Sequence, residues 1–432
     1  MLEFNELSPT LMARFIADGK LPAFERLRDG SATFVTEAGE TDERLNPWVQ
    51  WVTVHTGVTA DEHGIRQLAE AHLLSLPTIA DVVSGAGGSV WLCGSMNVQP
   101  LGPVTGAVLP DPWSIGATPQ PPELDPFFRF VSANVQEHTS EAAPLSKREA
   151  SAFVRFLVGH GLSARTVLAT VAQLAGERIG KVPRWQRAEL LDRFQWDVFR
   201  SYHRRIRPMF STFFSNSTAH FQHLHWDELE DDVERSAVLH GYQQMDRLVA
   251  SALSLAGDDT TVVLCTALSQ TANRSADRGR EGFYRPRDLN ALVDAFELAD
   301  VQLVSPVMAE EFHVFFVDEA AAAAGAAALE ALRSGDEQVF AVRRTGNDVF
   351  AGCRFFTSRP LDPPLDRLLY WADAPREGTH HPDGILWIGT GPSVQRDVRV
   401  PLTAVAPTIL RLLDITPPAS MQADPLLATT ER

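Results

Sequence analysis

The chain has 432 residues, of which 38 are basic and 55 acidic, and its formal charge is −17. This excess of acidic residues disfavours binding to a nucleic-acid backbone or to an anionic membrane surface. With 44% hydrophobic and 22% charged residues, the composition is that of a globular protein with a large core. We therefore expect neither nucleic acid nor membrane as a partner, and the composition leaves the oligomeric state open.

The apolar stretches and the cysteines are used to predict the cellular compartment of the protein. No run of about 18 apolar residues predicts a transmembrane helix, and the opening residues MLEFNELSP lack the pattern of a signal peptide. The three cysteines, Cys93, Cys265 and Cys353, form no CxxC pair, and two of them lie in apolar runs. We expect buried, reduced thiols and a cytoplasmic protein.

Residues 1–120 alternate between strand and helix signals. LEF predicts a first strand, TLMARFIADG and PAFERLRDG predict helices that stop at glycine, and SVWLCG predicts a buried strand. NPWVQWVTVHTG predicts a helix that follows a proline and ends at Gly57. Such alternation predicts an α/β fold with a doubly wound, mostly parallel sheet.

The pattern then changes along the chain. Helical spacing and arginines dominate residues 121–210, which predicts a helical insertion. Strand signals return in residues 211–305, where MFSTFFSNSTAHFQHLHW is interpreted as a strand. Residues 306–358 predict a small α+β flap with a hairpin at TGND. Residues 359–432 complete an α/β core that also includes 1–120 and 211–305.

Six stretches of the chain resemble, in the same order, pieces of the alkaline phosphatase superfamily, specifically its type I phosphodiesterase and nucleotide pyrophosphatase branch. The stretches are LPAFERLRDG, TVHTGVTADEHGI, PTIADVVSGAGGSVWLCGS, STAHFQH, GTHHPDGIL and VAPTILRLLDI. The resemblance implies an alkaline-phosphatase-like core with an active site at the carboxyl ends of the strands. It also implies chemistry with two metal ions about 4 Å apart, bound by Asp and His, and a Thr or Ser nucleophile.

Most positions that carry this chemistry in the family hold other residues here. The first Asp position falls on Asn5, with Glu6 beside it, and the nucleophile position falls on Pro47, with Asn46 beside it. The remaining metal-ligand positions fall on Ala219, Ala267, Leu268, His223 and His380. Since only the two histidines persist, the resemblance predicts a degenerate metal site that binds at most one divalent metal, with zinc as the first choice.

The replacements predict a pocket rich in amides and imidazoles, which suits a polar or anionic small molecule. As catalytic groups we predict His223, His380 and Glu6, with His223 and His380 as the metal ligands if a metal is bound. A third ligand could come from Glu6, His220, His381 or Asp383. The predicted substrate-binding residues are Asn5, Asn46, Gln50, His55, Asn216, His220 and Gln270.

Three functions are compatible with this pattern. The first is an enzyme that carries out an atypical hydrolysis or group transfer without the two-metal, Thr/Ser-nucleophile mechanism. The second is an inactive relative that binds a ligand or a partner. The third is an ordinary metal-dependent phosphodiesterase or phosphatase. The first is favoured over the second because polar residues still cluster at the family's site positions. A protein without activity has less reason to keep buried polar groups, since each costs about 1–3 kcal/mol when it is left unpaired.

Overall fold

The computed structural model describes residues 1–41, 44–137, 146–274, 281–307, 310–391 and 396–427. Its strands are, in chain order, β1 Leu2–Phe4, β2 Ala32–Glu37, β3 Val90–Cys93, β4 Gly106–Leu109, β5 Phe210–Ser215, β6 Val263–Cys265, β7 Ser269–Ala272, β8 Gly282–Pro286, β9 Val301–Pro306, β10 Glu311–Phe316, β11 Arg333–Ser334, β12 Glu337–Gln338, β13 Phe340–Thr345, β14 Asp348–Cys353, β15 Leu369–Asp373, β16 Gly378–His381, β17 Asp383–Ile388 and β18 Val398–Pro401.

The helices are α1 Pro9–Ala17, α2 Pro22–Asp29, α3 Pro47–Thr56, α4 Ala60–His63, α5 Ile79–Gly85, α6 Asp125–Glu137, α7 Lys147–Gly159, α8 Ala164–Arg178, α9 Ala188–Ile206, α10 Ser217–His225, α11 Glu228–Asp231, α12 Ala237–Leu255, α13 Leu289–Ala295, α14 Glu319–Ala331, α15 Leu365–Leu368 and α16 Val405–Leu412. In the described residues no helix is long and apolar enough to cross a membrane.

The chain divides into two compact units. The first comprises residues 1–128, 150–272 and 377–432, and the second comprises residues 129–149 and 273–376. The predicted division into core, insertion and flap stays a prediction.

The first unit contains an eight-stranded sheet with the order β18-β2-β17-β6-β1-β5-β3-β4. Every strand runs parallel to the others except β17, which is antiparallel to both of its neighbours. β1, β3 and β6 are short, mostly apolar runs such as VWLC and are buried throughout, as expected where helices cover both faces of a parallel sheet. The predicted doubly wound, mostly parallel α/β fold is confirmed.

This topology brings several segments together at one edge of the sheet, namely where the parallel strands have their carboxyl ends. β1, β5 and β6 are parallel neighbours, so the residues that follow Phe4, Ser215 and Cys265 emerge together. Because β17 is antiparallel to β6, its first residues lie at the same edge. β16 directly precedes β17 and pairs with β7, so that His380 lies opposite Gln270.

The second unit contains a four-stranded antiparallel sheet with the order β13-β14-β10-β9. Its apolar face packs into one core with residues of α14. Gly325 lies where α14 meets Phe316, and a Cβ at Gly325 would come within 2.2 Å of that ring. The predicted Ala-rich helix and the TGND hairpin both form, as α14 and as β13–β14.

The interpretation of residues 217–225 as part of a strand is wrong. β5 ends at Ser215, and STAHFQHLH forms helix α10. Because the apolar residues of this short stretch fit both periodicities, its tertiary contacts decide the outcome. All three cysteines are buried, as predicted.

Candidate active site

Glu6 lies in the turn after β1, at the side of the central sheet where the parallel strands have their carboxyl ends. The amide of Asn5 still donates to the carbonyl of Ser215 at 2.9 Å, and the backbone then turns sharply, because Glu6 has a φ of 62°. A non-glycine residue in this left-handed region is uncommon and strained. The turn buries the Glu6 side chain almost completely.

Two histidines face this carboxylate. The Nε2 atom of His223, on α10, lies 3.1 Å from Glu6 Oε2, and the Nε2 atom of His380, on β16, lies 3.5 Å from the same oxygen. The Nδ1 atom of His223 donates to the carbonyl of Gly378 at 3.2 Å, and that of His380 donates to the carbonyl of Leu45 at 2.6 Å. Since a carbonyl can only accept, each Nδ1 carries a proton, and each Nε2 is directed at Glu6.

The carboxylate has further donors. Asn5 Nδ2 donates to Glu6 Oε1 at 2.7 Å, and Gln270 Nε2 donates to Oε2. Burial raises the pKa of Glu6, but His380 and His223, together with the bond from Gln270, outweigh it and lower the pKa to about 2. Glu6 is therefore an anion at neutral pH despite its burial.

The structure brings most of the predicted amides together. Trp51 Nε1 donates to Asn5 Oδ1 at 2.8 Å, and Asn5 Nδ2 also donates to Asn216 Oδ1 at 2.7 Å. Gln270 Nε2 additionally donates to the carbonyl of Ala219 at 3.0 Å. Asn5, Asn216 and Gln270 thus belong to the surroundings of Glu6, and their role in substrate binding stays a prediction.

Other predicted residues make different contacts. The fully buried His55 lies 2.8 Å from the carboxylate of Glu3. His220 is exposed on α10, and Asn46 is half-buried just before α3. Gln50 is buried, and its Nε2 has no hydrogen-bond partner within the part of the chain that the structure describes. Among the described residues, His55 and His220 lie outside the group of potential metal ligands formed by Glu6, His223 and His380.

His381 and Asp383, offered as further metal ligands, are also occupied elsewhere. The amide of Asp383 donates to His381 Nδ1 at 3.2 Å. The carboxylate of Asp383 accepts two bonds from Arg399, at 2.9 and 2.6 Å. Neither residue joins the cluster around Glu6.

A chain of bonds that sequence reasoning missed holds the Glu6 turn. The amide of Ser8 donates to Tyr242 Oη at 2.7 Å, and Tyr242 donates to Gln222 Oε1 at 2.8 Å. Gln222 Nε2 in turn donates to the Glu6 carbonyl at 2.7 Å. Gln222 could have been found from its place beside His223 in STAHFQH, whereas Tyr242, in the middle of α12, carries no such signal.

Gly378 is needed where β16 passes α10. A Cβ at this position would lie 2.4 Å from the carbonyl oxygen of Gln222 and 2.5 Å from Gln270 Oε1. Only glycine allows this approach without movement of the backbone. The same residue provides the carbonyl that orients His223.

Among the residues that the structure describes, one group of side chains could hold a divalent metal ion. One ligand atom from each of Glu6, His223 and His380 lies within 4.8 Å of the others, and no second such group occurs in the parts of the chain that the structure describes. Two imidazoles and a carboxylate are a ligand set that zinc accepts, and they leave an open position for a further ligand. Ala219, Ala267 and Leu268 offer no side-chain donor for a second ion.

Comparison with known proteins agrees with this architecture. No protein-family profile matches the chain, and no curated protein does. A solved structure of a mutant form of alkaline phosphatase PafA matches at 12% identity over 98% of this chain and 97% of that chain, with a TM-score of 0.50. The chain therefore has the fold of the alkaline phosphatase superfamily, as its six motif stretches predicted.

Two further structures are similar at lower scores. Phosphonoacetate hydrolase from Sinorhizobium meliloti 1021, in complex with phosphonoformate, matches at 14% identity over 96% of this chain and 94% of that chain, with a TM-score of 0.44. Murine ectonucleotide pyrophosphatase/phosphodiesterase 5 matches at 11% identity over 96% and 95% of the two chains, with a TM-score of 0.42.

Proposed function

We propose that this protein is an enzyme that hydrolyses, or transfers a group from, an anionic small molecule at a single zinc ion held by Glu6, His223 and His380. One observation carries the proposal: both Nε2 atoms converge on Glu6 Oε2 at 3.1 and 3.5 Å, while both Nδ1 atoms are bonded to backbone carbonyls. Histidines that bind metals characteristically donate their other ring N–H to such an acceptor.

When bound, the ion would supply a positive charge that polarises the reacting group of the substrate. The residues of the chain would do the rest. Gln270 and Asn5 hold the Glu6 carboxylate in place, and the carbonyls of Gly378 and Leu45 fix the two imidazole rings. Because Pro47 occupies the nucleophile position, the proposal assigns the attack to water or to an acceptor substrate. The fold likeness to an alkaline phosphatase makes phosphoryl compounds the first substrates to test.

A second candidate function is ligand binding without catalysis. The observation that favours it is that Glu6 already has an imidazole at 3.1 Å as well as its amide donors. A cluster whose groups already bond to one another could bind an anion through its imidazoles and amides, without a metal ion. The alternative of a conventional two-metal phosphodiesterase is disfavoured by the alanines and leucine at its ligand positions.

The test is metal content combined with turnover. Chelator-treated protein is reloaded with zinc, dialysed and analysed by mass spectrometry, and it is then assayed with bis-p-nitrophenyl phosphate, p-nitrophenyl phosphate and carboxylic esters. We expect one zinc per chain in the parent and in His220→Ala, the matched control on the same helix. We expect zinc binding to be weakened more than about 100-fold in His223→Ala, since the loss of an outer-shell partner alone costs about 10–100-fold.

The outcomes separate the three functions. One zinc with zinc-dependent turnover supports the single-metal enzyme. Two zinc ions with phosphodiesterase turnover contradict it in favour of the conventional mechanism. An absence of zinc, with anion binding that depends on His223, contradicts it in favour of a binding protein.

A further inference from the structure

Helix α8 buries polar and small residues and exposes its large apolar residues, which is the reverse of the usual arrangement. Its buried residues are Thr166, Gln173 and Gly176. Its large apolar residues are exposed, with Leu168 at 69% and Val171 at 59% of their full accessibility. A helix on the surface of a globular protein normally turns its apolar stripe inward.

Polar contacts account for the buried side of α8. Ser163 caps the helix by accepting from the amide of Thr166, and the amide of Ser163 donates to Asp197 at 2.9 Å. Gln173 donates to the carbonyl of Pro183 at 3.1 Å. The helix is therefore fixed in this orientation by specific bonds, and its apolar residues are left facing outward.

These outward residues form one surface, which we call the α8 face. It consists of Val167, Leu168, Val171, Ala172, Leu174, Ala175 and Ile179, all of which are exposed. Their spacing of three and four places them on one side of the helix. Single exposed apolar residues are ordinary, whereas a contiguous set of this kind marks an interaction surface.

We propose that the α8 face binds the same face of a second copy of this chain, with the two helices antiparallel about Val171. Residues 166–176 carry no charge, and the nearest charged residues are Arg165 and Glu177. A two-fold axis at Val171 therefore sets apolar residues against apolar residues and leaves the charges at the ends. Closed two-fold dimers with self-complementary surfaces are the commonest oligomers.

Two further features favour this arrangement. Ala172 and Ala175 lie on the face, and small residues let two helices approach closely. Antiparallel pairing also sets Arg165, at the start of one α8, beside the end of the other α8, where the helix dipole favours a cation.

Charge and composition make a second copy a better occupant than a lipid surface. The formal charge of −17 opposes approach to an anionic membrane. The α8 face holds valine, leucine, isoleucine and alanine, and lacks the aromatic residues that anchor interfacial helices. These residue types suit the dry packing of one helix on another.

The mass of the intact chain in solution tests the proposal, by sedimentation velocity and light scattering between about 1 and 100 μM. We expect a dimer for the parent and an increase of at least about 100-fold in the dimer dissociation constant for Leu168→Glu. Leu73→Glu is the control, because Leu73 is 58% exposed and lies outside the α8 face; it should remain dimeric. Circular dichroism checks that each variant is folded.

A cross-link locates the interface. In oxidising buffer, Val171→Cys should form a covalent dimer, since the two copies of residue 171 would meet at the axis, whereas Leu73→Cys should not. The three native cysteines are buried and do not compete. A parent that stays monomeric to 100 μM, or a Leu168→Glu variant that dimerises like the parent, overturns the proposal. So does a monomeric parent that binds phosphatidylglycerol vesicles through Leu168.

Discussion

Glu3 and Glu6 are three residues apart at the first strand of the central sheet, and each is paired with a histidine, yet the two pairs differ in what surrounds them. The Glu3–His55 pair is closed, with both side chains at 0% exposure. The Glu6 pair is open, since His223 and His380 keep 32% and 21% of their side-chain accessibility. A buried carboxylate–imidazole contact therefore does not by itself mark a site. The convergence of several donors at an accessible position is what makes the Glu6 cluster the candidate site.

The first prediction concerns stability and has the largest expected effect. His55→Ala should lower the free energy of unfolding by about 3–5 kcal/mol, because it removes the side chain that lies 2.8 Å from the fully buried Glu3 carboxylate. His223→Ala should cost about 1 kcal/mol, since Glu6 keeps His380, Asn5 and Gln270. Urea unfolding of both variants in chelator-treated form measures the difference. Equal losses would refute the contrast between a closed and an open pair.

The second prediction concerns acid. The pKa of Glu6 is about 2 in the folded chain against an ordinary value of 4.5. Its charge therefore stabilises the fold above pH 4.5, and this contribution, on the order of 3 kcal/mol, is lost as the pH falls towards 2. The stability of the parent should thus fall further between pH 4.5 and 2 than that of Glu6→Gln.

Unfolding by urea at a series of pH values, on chelator-treated protein, checks this. Parallel curves down to pH 2 would show that His380 and His223 do not stabilise the carboxylate.

The third prediction has the smallest expected effect and concerns the hydrogen bonds of Tyr242 that hold the Glu6 turn. Tyr242→Phe removes the hydroxyl that joins Ser8 to Gln222, which should cost about 1–2 kcal/mol and weaken zinc binding about tenfold. Tyr202→Phe is the matched control, since its hydroxyl bonds to Glu123 instead, and it should leave zinc affinity unchanged. Titration calorimetry with zinc gives both affinities, and an equal loss in the two variants would count against a role for the Tyr242 bonds.

The sequence was sufficient to predict the fold and the centre of the candidate site. Collinear motif stretches indicated an alkaline-phosphatase-like sheet, and the position of each stretch pointed to Glu6, His223 and His380. This works because parallel strands deliver their following residues to one edge. Motif position alone thus located groups that are far apart along the chain.

The rest depended on contacts that no local pattern records. His55 lies within helix α3 and is a predicted substrate-binding residue, and only the folded chain shows that it contacts Glu3. The stretch STAHFQHLH fits a strand or a helix, and the structure forms α10. Tyr242 supports the Glu6 turn through two bonds across the fold, and nothing near it in the sequence indicates this.

The position of β1 between β5 and β6 has a consequence for synthesis. β1 leaves the ribosome early, yet its pairing partners, such as Ser215 for Phe4, are translated much later, and His380 later still. β1 cannot pair until these partners have been synthesised. Pairing over such sequence separations makes folding slow. A nascent chain arrested before β16 would lack His380 and also the Gly378 carbonyl that orients His223. Completion of this cluster is thus a late event in biogenesis.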